Sequence, residues 1–337
     1  MISLPKHQYI ERETGRIKTE RLCGDRLIGA LYLTARENSA ALFRALTCGR
    51  MSSLLGFFNY DLVPGLRTMG GQELARVFDI DTAECLDPPE SLNSGRKIFE
   101  RKIRYWETRP MPQDAAAIVS PADAKVLAGS FAATSRLFLK EKFFDFRELF
   151  GIDKTPWLRA FEGGDFAIFR LTPDKYHYNH TPVAGRVLDI YPVCGEYHSC
   201  NPTAVIAVAT PYSKNKRVVT IIDTDVEGGT KAGLVAMIEI VALMIGDIVQ
   251  CYSERGYENP HNIRRGMFLE KGQPKSLYRP GSSTDVLIFQ KERVKFSQDI
   301  IVNMHRQGIQ SRFSSGFGKP LVETDLRVRS QIATAIR

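Results

Sequence analysis

The sequence predicts an α+β protein in which an N-terminal helical portion packs on a β-rich core. Two observations carry that expectation. Over the first third of the chain, apolar residues recur at helical spacing. Beyond about residue 115 the pattern changes to short apolar runs punctuated by Gly, Pro, Asn and Asp. With 337 residues the chain is long enough to bury a sizeable core in one large or two modest domains. The change of pattern sets the expected division at 1–112 and 113–337.

Residues 1–25 read as a mobile or extended leader. From Arg26 to Phe58 a helical stripe runs through Leu27, Leu31, Ala35, Leu42, Phe43 and Leu46, then Leu54, Leu55, Phe57 and Phe58. Gly49 breaks it into two helices. These helices either cover the core or rest on a membrane, with Arg36, Arg44 and Arg50 near the headgroups. Residues 70–86 read as a further helix ended by Pro88 and Pro89, and residues 92–107 as a helix running into a segment rich in Arg and aromatics, with Pro110 and Pro112 marking the boundary. Strand-like runs follow at Ala116–Val119, Phe166–Leu171, Val187–Ile190, Ala204–Val208, Val218–Ile222, Leu234–Ile240, Val241–Val249 and Val286–Phe289. A helix is expected between Phe143 and Phe150.

Composition narrows the class. A net charge of +8 suits an anionic partner such as a lipid headgroup or a phosphate. No compact Lys/Arg block with interleaved aromatics is present, so nucleic acid is not an expected partner. The six cysteines lack CxxC spacing, which points to a reducing compartment rather than a disulfide framework. Cys194, His198 and Cys200 lie close in sequence, but no second ligand pair has zinc-site spacing, so no metal is expected. Met1 to Arg21 is polar and lacks the apolar core of a secretory signal. Leu234 to Val249 is apolar but falls short of the ~20 residues of a spanning helix.

Three segments hold residues that carry chemistry. Asp123 lies in a turn within Val119-Ser120-Pro121-Ala122-Asp123-Ala124-Lys125-Val126. It either caps that turn or orients a base. His177 and His180 sit three apart in Lys175-Tyr176-His177-Tyr178-Asn179-His180-Thr181-Pro182, and histidine is the side chain suited to proton exchange near neutral pH. Near the C-terminus, Arg279-Pro280-Gly281-Ser282-Ser283-Thr284 feeds the apolar run Asp285-Val286-Leu287-Ile288-Phe289. A serine in such a turn can attack the carbonyl before it, turning the peptide into an ester that eliminates to a pyruvoyl group. Ser, His and Asp from separate segments also make a general-base triad. No Gly-x-Ser-x-Gly nucleophile elbow supports a serine hydrolase.

Taken together, the blocks resemble the phosphatidylserine decarboxylase family. Ile118 to Val126 is similar to its Val-Ser-Pro-Ala-Asp-Gly block, with Ala124 in place of Gly. Tyr176 to Pro182 is similar to its Tyr-His-x-x-His-x-Pro block, with Val183 and Gly185 following. Asn215 to Val219 resembles Asn-Glu-Arg-Val-Val. Val241 to Ile248 resembles Val-Gly-Ala-x-x-Val-Gly-Ser-Ile, with Ala242 for the first Gly and Gly246 retained. Lys271-Gly272 stands where the family has Lys-Gly. The likeness runs from roughly Leu92 to Phe289.

The resemblance implies a self-processed enzyme. His180, held by Asp123, would act as base on Ser283 or Ser282, cutting Ser282-Ser283 or Gly281-Ser282. The following strand must hold its register, which favours Ser283, whereas counting from Lys271-Gly272 in the shorter form of the motif gives Ser282. The pyruvoyl ketone would then take the substrate amine and the electrons released with CO2, with His177 returning the proton. The resemblance implies no pyridoxal phosphate, no metal, and a homodimer. Phosphatidylserine is the implied substrate, and the implied location is the cytoplasm, at the inner face of the cell membrane. Gln273-Pro274-Lys275-Ser276-Leu277 departs from the family's acidic and Gly pattern. That departure keeps open a soluble decarboxylase of an amino acid, such as an aromatic one. An unprocessed binding homologue is a third reading.

Overall fold

The computed structural model describes residues 5–22, 25–29, 32, 73, 75–76, 79–131, 143–208, 210–242, 247–280 and 283–336. Among these, sixteen strands form the frame. In chain order they are β1 Gln8–Glu11, β2 Ile17–Thr19, β3 Ala117–Val119, β4 Ala124–Ser130, β5 Asp165–Leu171, β6 Tyr178–His180, β7 Gly185–Val193 and β8 Arg217–Asp223. β9 Leu234–Val241, β10 Ile248–Gln250, β11 Phe268–Leu269, β12 Pro274–Tyr278, β13 Ser283–Phe289, β14 Val294–Phe296, β15 Thr324–Leu326 and β16 Gln331–Ala335 follow. This is an α+β architecture, as the sequence predicts.

Ten strands make the central sheet, in the order β11-β7-β8-β9-β13-β5-β4-β15-β1-β2. All neighbours are antiparallel except β1 and β15. The central strands are apolar on both faces because both faces are covered. Val235, Met237, Val241, Leu287 and Phe289 pack on one side with Ile248, Tyr278, Ile118 and Ile332, which belong to two three-stranded sheets. Ala236, Ile238, Val286 and Ile288 pack on the other side. There they meet Phe150, Tyr212 and Phe313 of the helices Phe146–Phe150, Pro211–Lys214 and Arg312–Phe317. The result is three layers, with the sheet in the middle.

Several sequence expectations need correction. Ala204–Val208 is not a strand but lies in the helix Pro202–Ala207 and its C-cap. Asn201 caps it by accepting from Thr203 N–H, and Pro202 occupies the first turn. These start signals outweigh a five-residue apolar run that fits either period. Residues 92–107 do begin with a helix, and their Arg- and aromatic-rich part carries a second. They hold the short helices Gly95–Phe99 and Tyr105–Thr108, separated where Ile103 bridges Cys85. The leader is extended rather than mobile: β1 and β2 form a hairpin at the edge of the central sheet, with Ile10 fully buried. β9 runs through Val241, and only β10 follows it before Val249 ends. Most of the expected N-terminal helices, including residues 33–58, lie outside the described residues. No helix among the described residues is long and apolar enough to cross a membrane.

Candidate active site

Ser283 opens β13 at the centre of the sheet. It pairs with Leu171 on β5 and Val241 on β9, and it is fully buried. Its hydroxyl oxygen has no hydrogen-bond partner. Residues 281 and 282, including the alternative Ser282, lie outside the described residues. Asn215 secures the neighbouring strand: its Nδ2 donates to the Val241 carbonyl at 2.8 Å and to the His198 carbonyl at 2.8 Å. That gives one conserved-looking block of the sequence a physical task beside Ser283.

β6 places His180 in one of the smaller sheets, paired with β12 across a bulge. Its backbone N–H donates to the Pro121 carbonyl at 2.7 Å, joining the histidine segment to the Asp123 turn. Its Nδ1 lies 2.9 Å from the Gly272 carbonyl oxygen, and its Nε2 lies 3.0 Å from the Tyr176 hydroxyl. A carbonyl only accepts, so Nδ1 carries the proton and Nε2 is the basic nitrogen. Gly272 sits at φ +76°, and a Cβ there would collide with Met111 Sδ. The Lys271-Gly272 pair therefore serves to present a carbonyl to His180. Burial pushes His180 down to about 3, which keeps it neutral.

His177 precedes β6 and is also fully buried. It stacks on Phe99 with ring centroids 3.5 Å apart and planes at 12°. Neither ring nitrogen has a partner. Desolvation, aided by the charge of Arg101, pushes its pKa to about 3.

Asp123 takes a different partner from the one the sequence suggests. Arg109 Nε and Nη2 donate to its two oxygens at 3.0 and 2.8 Å, and Val328 N–H donates at 2.8 Å. The bidentate Arg109 and the Val328 bond hold its carboxyl down to about 2 despite burial. Arg109 also donates to Glu84 at 2.8 Å. Asp123 therefore does not hold His180 directly in this arrangement. It reaches the histidine through the His180–Pro121 backbone bond and through its charge.

Beside Ser283 lies a buried polar cluster that sequence reasoning missed. Glu239 on β9 faces Asp285 on β13 across the ladder, and both are fully buried. Lys275 Nζ donates to Glu239 at 2.7 Å and to Gln250 at 3.0 Å. Ser276 donates to the other Glu239 oxygen, and Asn179 Nδ2 lies 3.3 Å from it. The bulge in β12 turns two successive residues, Lys275 and Ser276, toward the same carboxylate. Tyr278 donates its hydroxyl toward Asp285 at 2.7 Å and the Thr284 carbonyl at 3.0 Å, while accepting from Ile240 N–H at 3.1 Å. The available signal was the departure from pattern at Gln273 to Leu277: it supplies Lys275 and Ser276.

Comparison with known proteins gives the family. Residues 96–310 match the family model described as phosphatidylserine decarboxylase. A phosphatidylserine decarboxylase proenzyme of Ruminiclostridium cellulolyticum is 31% identical over 311 residues, covering 92% of this chain and 95% of that protein. One from Fusobacterium nucleatum is also 31% identical, over 94% of this chain and 97% of its own length. A proenzyme of Chlamydia trachomatis is 29% identical over 91% and 95%. The class is thereby set as a carbon–carbon lyase of the carboxy-lyase type. Within it, the chain belongs to the phosphatidylserine decarboxylase family.

Proposed function

We propose that this protein cuts itself at Ser283 and, with the pyruvoyl group so formed, converts phosphatidylserine to phosphatidylethanolamine and CO2. The observation that carries the reading is the state of Ser283. Its unpartnered, buried hydroxyl stands at the first residue of a central strand, in a chain whose relatives are named proenzymes. A buried orphan hydroxyl costs roughly 1–3 kcal/mol, so a site that keeps one has a use for it. The nucleophile fits the group: conversion of Ser283 in place would leave a ketone walled in by β5 and β9.

The residues divide the work. His180 takes the Ser283 proton on Nε2 once that nitrogen is released from the Tyr176 hydroxyl it faces in this arrangement, and Gly272 fixes its ring. Asp123 and Arg109 hold the Ser120–Ala124 turn against β6. The ketone would supply an electron sink for the carbanion left when CO2 departs. His177, its ring stacked on Phe99, is assigned the return of a proton to the substrate α-carbon. Homodimerisation and attachment to the cytoplasmic membrane face belong to the same reading. The net charge of +8 supports the membrane contact.

Purified protein is expected to run as two fragments on a denaturing gel. The smaller is residues 283–337, with an intact mass that fixes the cut at Ser283 rather than Ser282. Borohydride added with substrate should label that fragment. A single uncut band with no label ends the reading. Phosphatidylserine vesicles against free amino acids as substrates separate the phospholipid enzyme from an amino-acid decarboxylase.

A further inference from the structure

Self-cleavage at Ser283 needs more than a base. Once Ser283 Oγ has taken the acyl group of residue 282, the resulting ester must eliminate. The base removes the Ser283 Cα proton, a Cα–Cβ double bond forms, and the Cβ–Oγ bond breaks. The electron pair departs on the new carboxylate of residue 282. Negative charge thus grows at Oγ, in a place shut off from water.

Ser283 and Asp285 lie two residues apart on β13, so their side chains leave the same face, roughly 7 Å apart along the strand. No hydrogen bond joins the two side chains in this arrangement, so the contact forms only as the strand end rearranges during cleavage. Asp285 Oδ2 is buried and has no partner, and neither has Ser283 Oγ. Asp285 Oδ1 is occupied by the Tyr278 hydroxyl. Across the ladder, both Glu239 oxygens are engaged by Lys275, Gln250, Ser276 and Asn179. The one ammonium of the cluster is thus bound to Glu239, and Asp285 faces that carboxylate without a cation of its own. Burial first, and then the Glu239 charge, raise the Asp285 carboxyl well above its usual range. Two facing buried carboxyls share one ammonium, which is bound to Glu239, so a proton is favoured on Asp285, and a protonated carboxyl is a donor.

We propose that Asp285 donates a hydrogen bond to Ser283 Oγ and assists its departure in the elimination step. Tyr278 fixes the carboxyl for that purpose, and the Glu239–Lys275 pair keeps Lys275 away from Asp285. The inference rests on self-cleavage at Ser283.

Two substitutions test it in the full-length chain. Asp285→Asn keeps a neutral donor and is expected to cleave within about threefold of the unaltered protein. Asp285→Leu removes the donor while filling the same buried space, and folding is checked by thermal melting. It is expected to slow cleavage roughly 100-fold, the scale for losing one buried donor to developing charge. The ester should then accumulate, making the uncut chain sensitive to neutral hydroxylamine, which releases the fragment beginning at Ser283. A folded Asp285→Leu chain that cleaves at the normal rate, or slows without hydroxylamine sensitivity, overturns the proposal. So does a folded Asp285→Asn chain that fails to cleave, which covers the case where the leucine variant does not fold. The unaltered chain run alongside separates this outcome from failure of self-cleavage itself.

Discussion

His180 Nδ1 lies 2.9 Å from the Gly272 carbonyl oxygen, and this backbone contact, not a carboxylate, sets the ring's tautomer. The consequence is a base that is neutral and oriented but not charge-assisted. Replacing His180 with Gln should leave the chain folded and uncut. Replacing Gly272 with Ala puts a Cβ against Met111 and strains a positive φ, which moves the carbonyl. Cleavage is expected to slow at least tenfold while His180 is intact. Time courses on denaturing gels read both variants, and normal cleavage in Gly272→Ala removes the orienting role.

Asp123 and Arg109 behave as a buried ion pair, and the expected penalties are asymmetric. Arg109→Met leaves a buried carboxylate bound only to Val328 N–H and should cost about 3–5 kcal/mol. Asp123→Leu combined with Arg109→Met should recover most of that loss in urea unfolding. If the double variant refolds yet fails to cleave, Asp123 also matters to the chemistry through its charge. Full recovery of cleavage would confine the pair to structure.

Lys275 and Glu239 present the same logic deeper in the core. Both are fully buried and 2.7 Å apart. Lys275→Met strands Glu239 beside Asp285, two carboxyls sharing one dry site, and about 3–5 kcal/mol of stability should be lost. Adding Glu239→Gln removes the stranded charge and should restore much of the loss. Chemical denaturation of the single and double variants gives the coupling directly, and additive losses would show that the two side chains act independently.

How much of this was legible in the sequence depended on whether the signal was local. β5, β8, β9 and β13 were readable because runs such as Phe166–Leu171 are apolar on both faces and bounded by turn residues. The histidines and Asp123 were readable as spaced blocks. Their partners were not, because Gly272 meets His180 across 92 positions and Arg109 meets Asp123 by a fold-back from the short helix Tyr105–Thr108. The 204–208 run was misassigned because its cap, Asn201, lies outside the apolar stretch. β15 and β16 were missed because three- and five-residue strands set beside distant partners leave almost no periodic trace.

Three buried groups make stability depend on pH in opposing ways. His177 and His180 have folded values near 3 against an ordinary 6.5. Between pH 6 and pH 5 the unfolded chain takes up both protons and the folded chain neither. Each histidine therefore makes stability fall by ~1.4 kcal/mol per unit of acidification, ~2.7 kcal/mol together. Asp285 runs the other way. Burial and the facing Glu239 charge raise its carboxyl above the ordinary range, so acidification works for the fold through this group and against it through the histidines. His177→Phe keeps the stack on Phe99 and should remove about half of the histidine slope. Asp285→Asn removes the opposing group and should steepen the loss on acidification. Urea midpoints at pH 6.0 and 5.0 for the three proteins read these slopes, and an unchanged slope in either variant would show that the group titrates alike folded and unfolded.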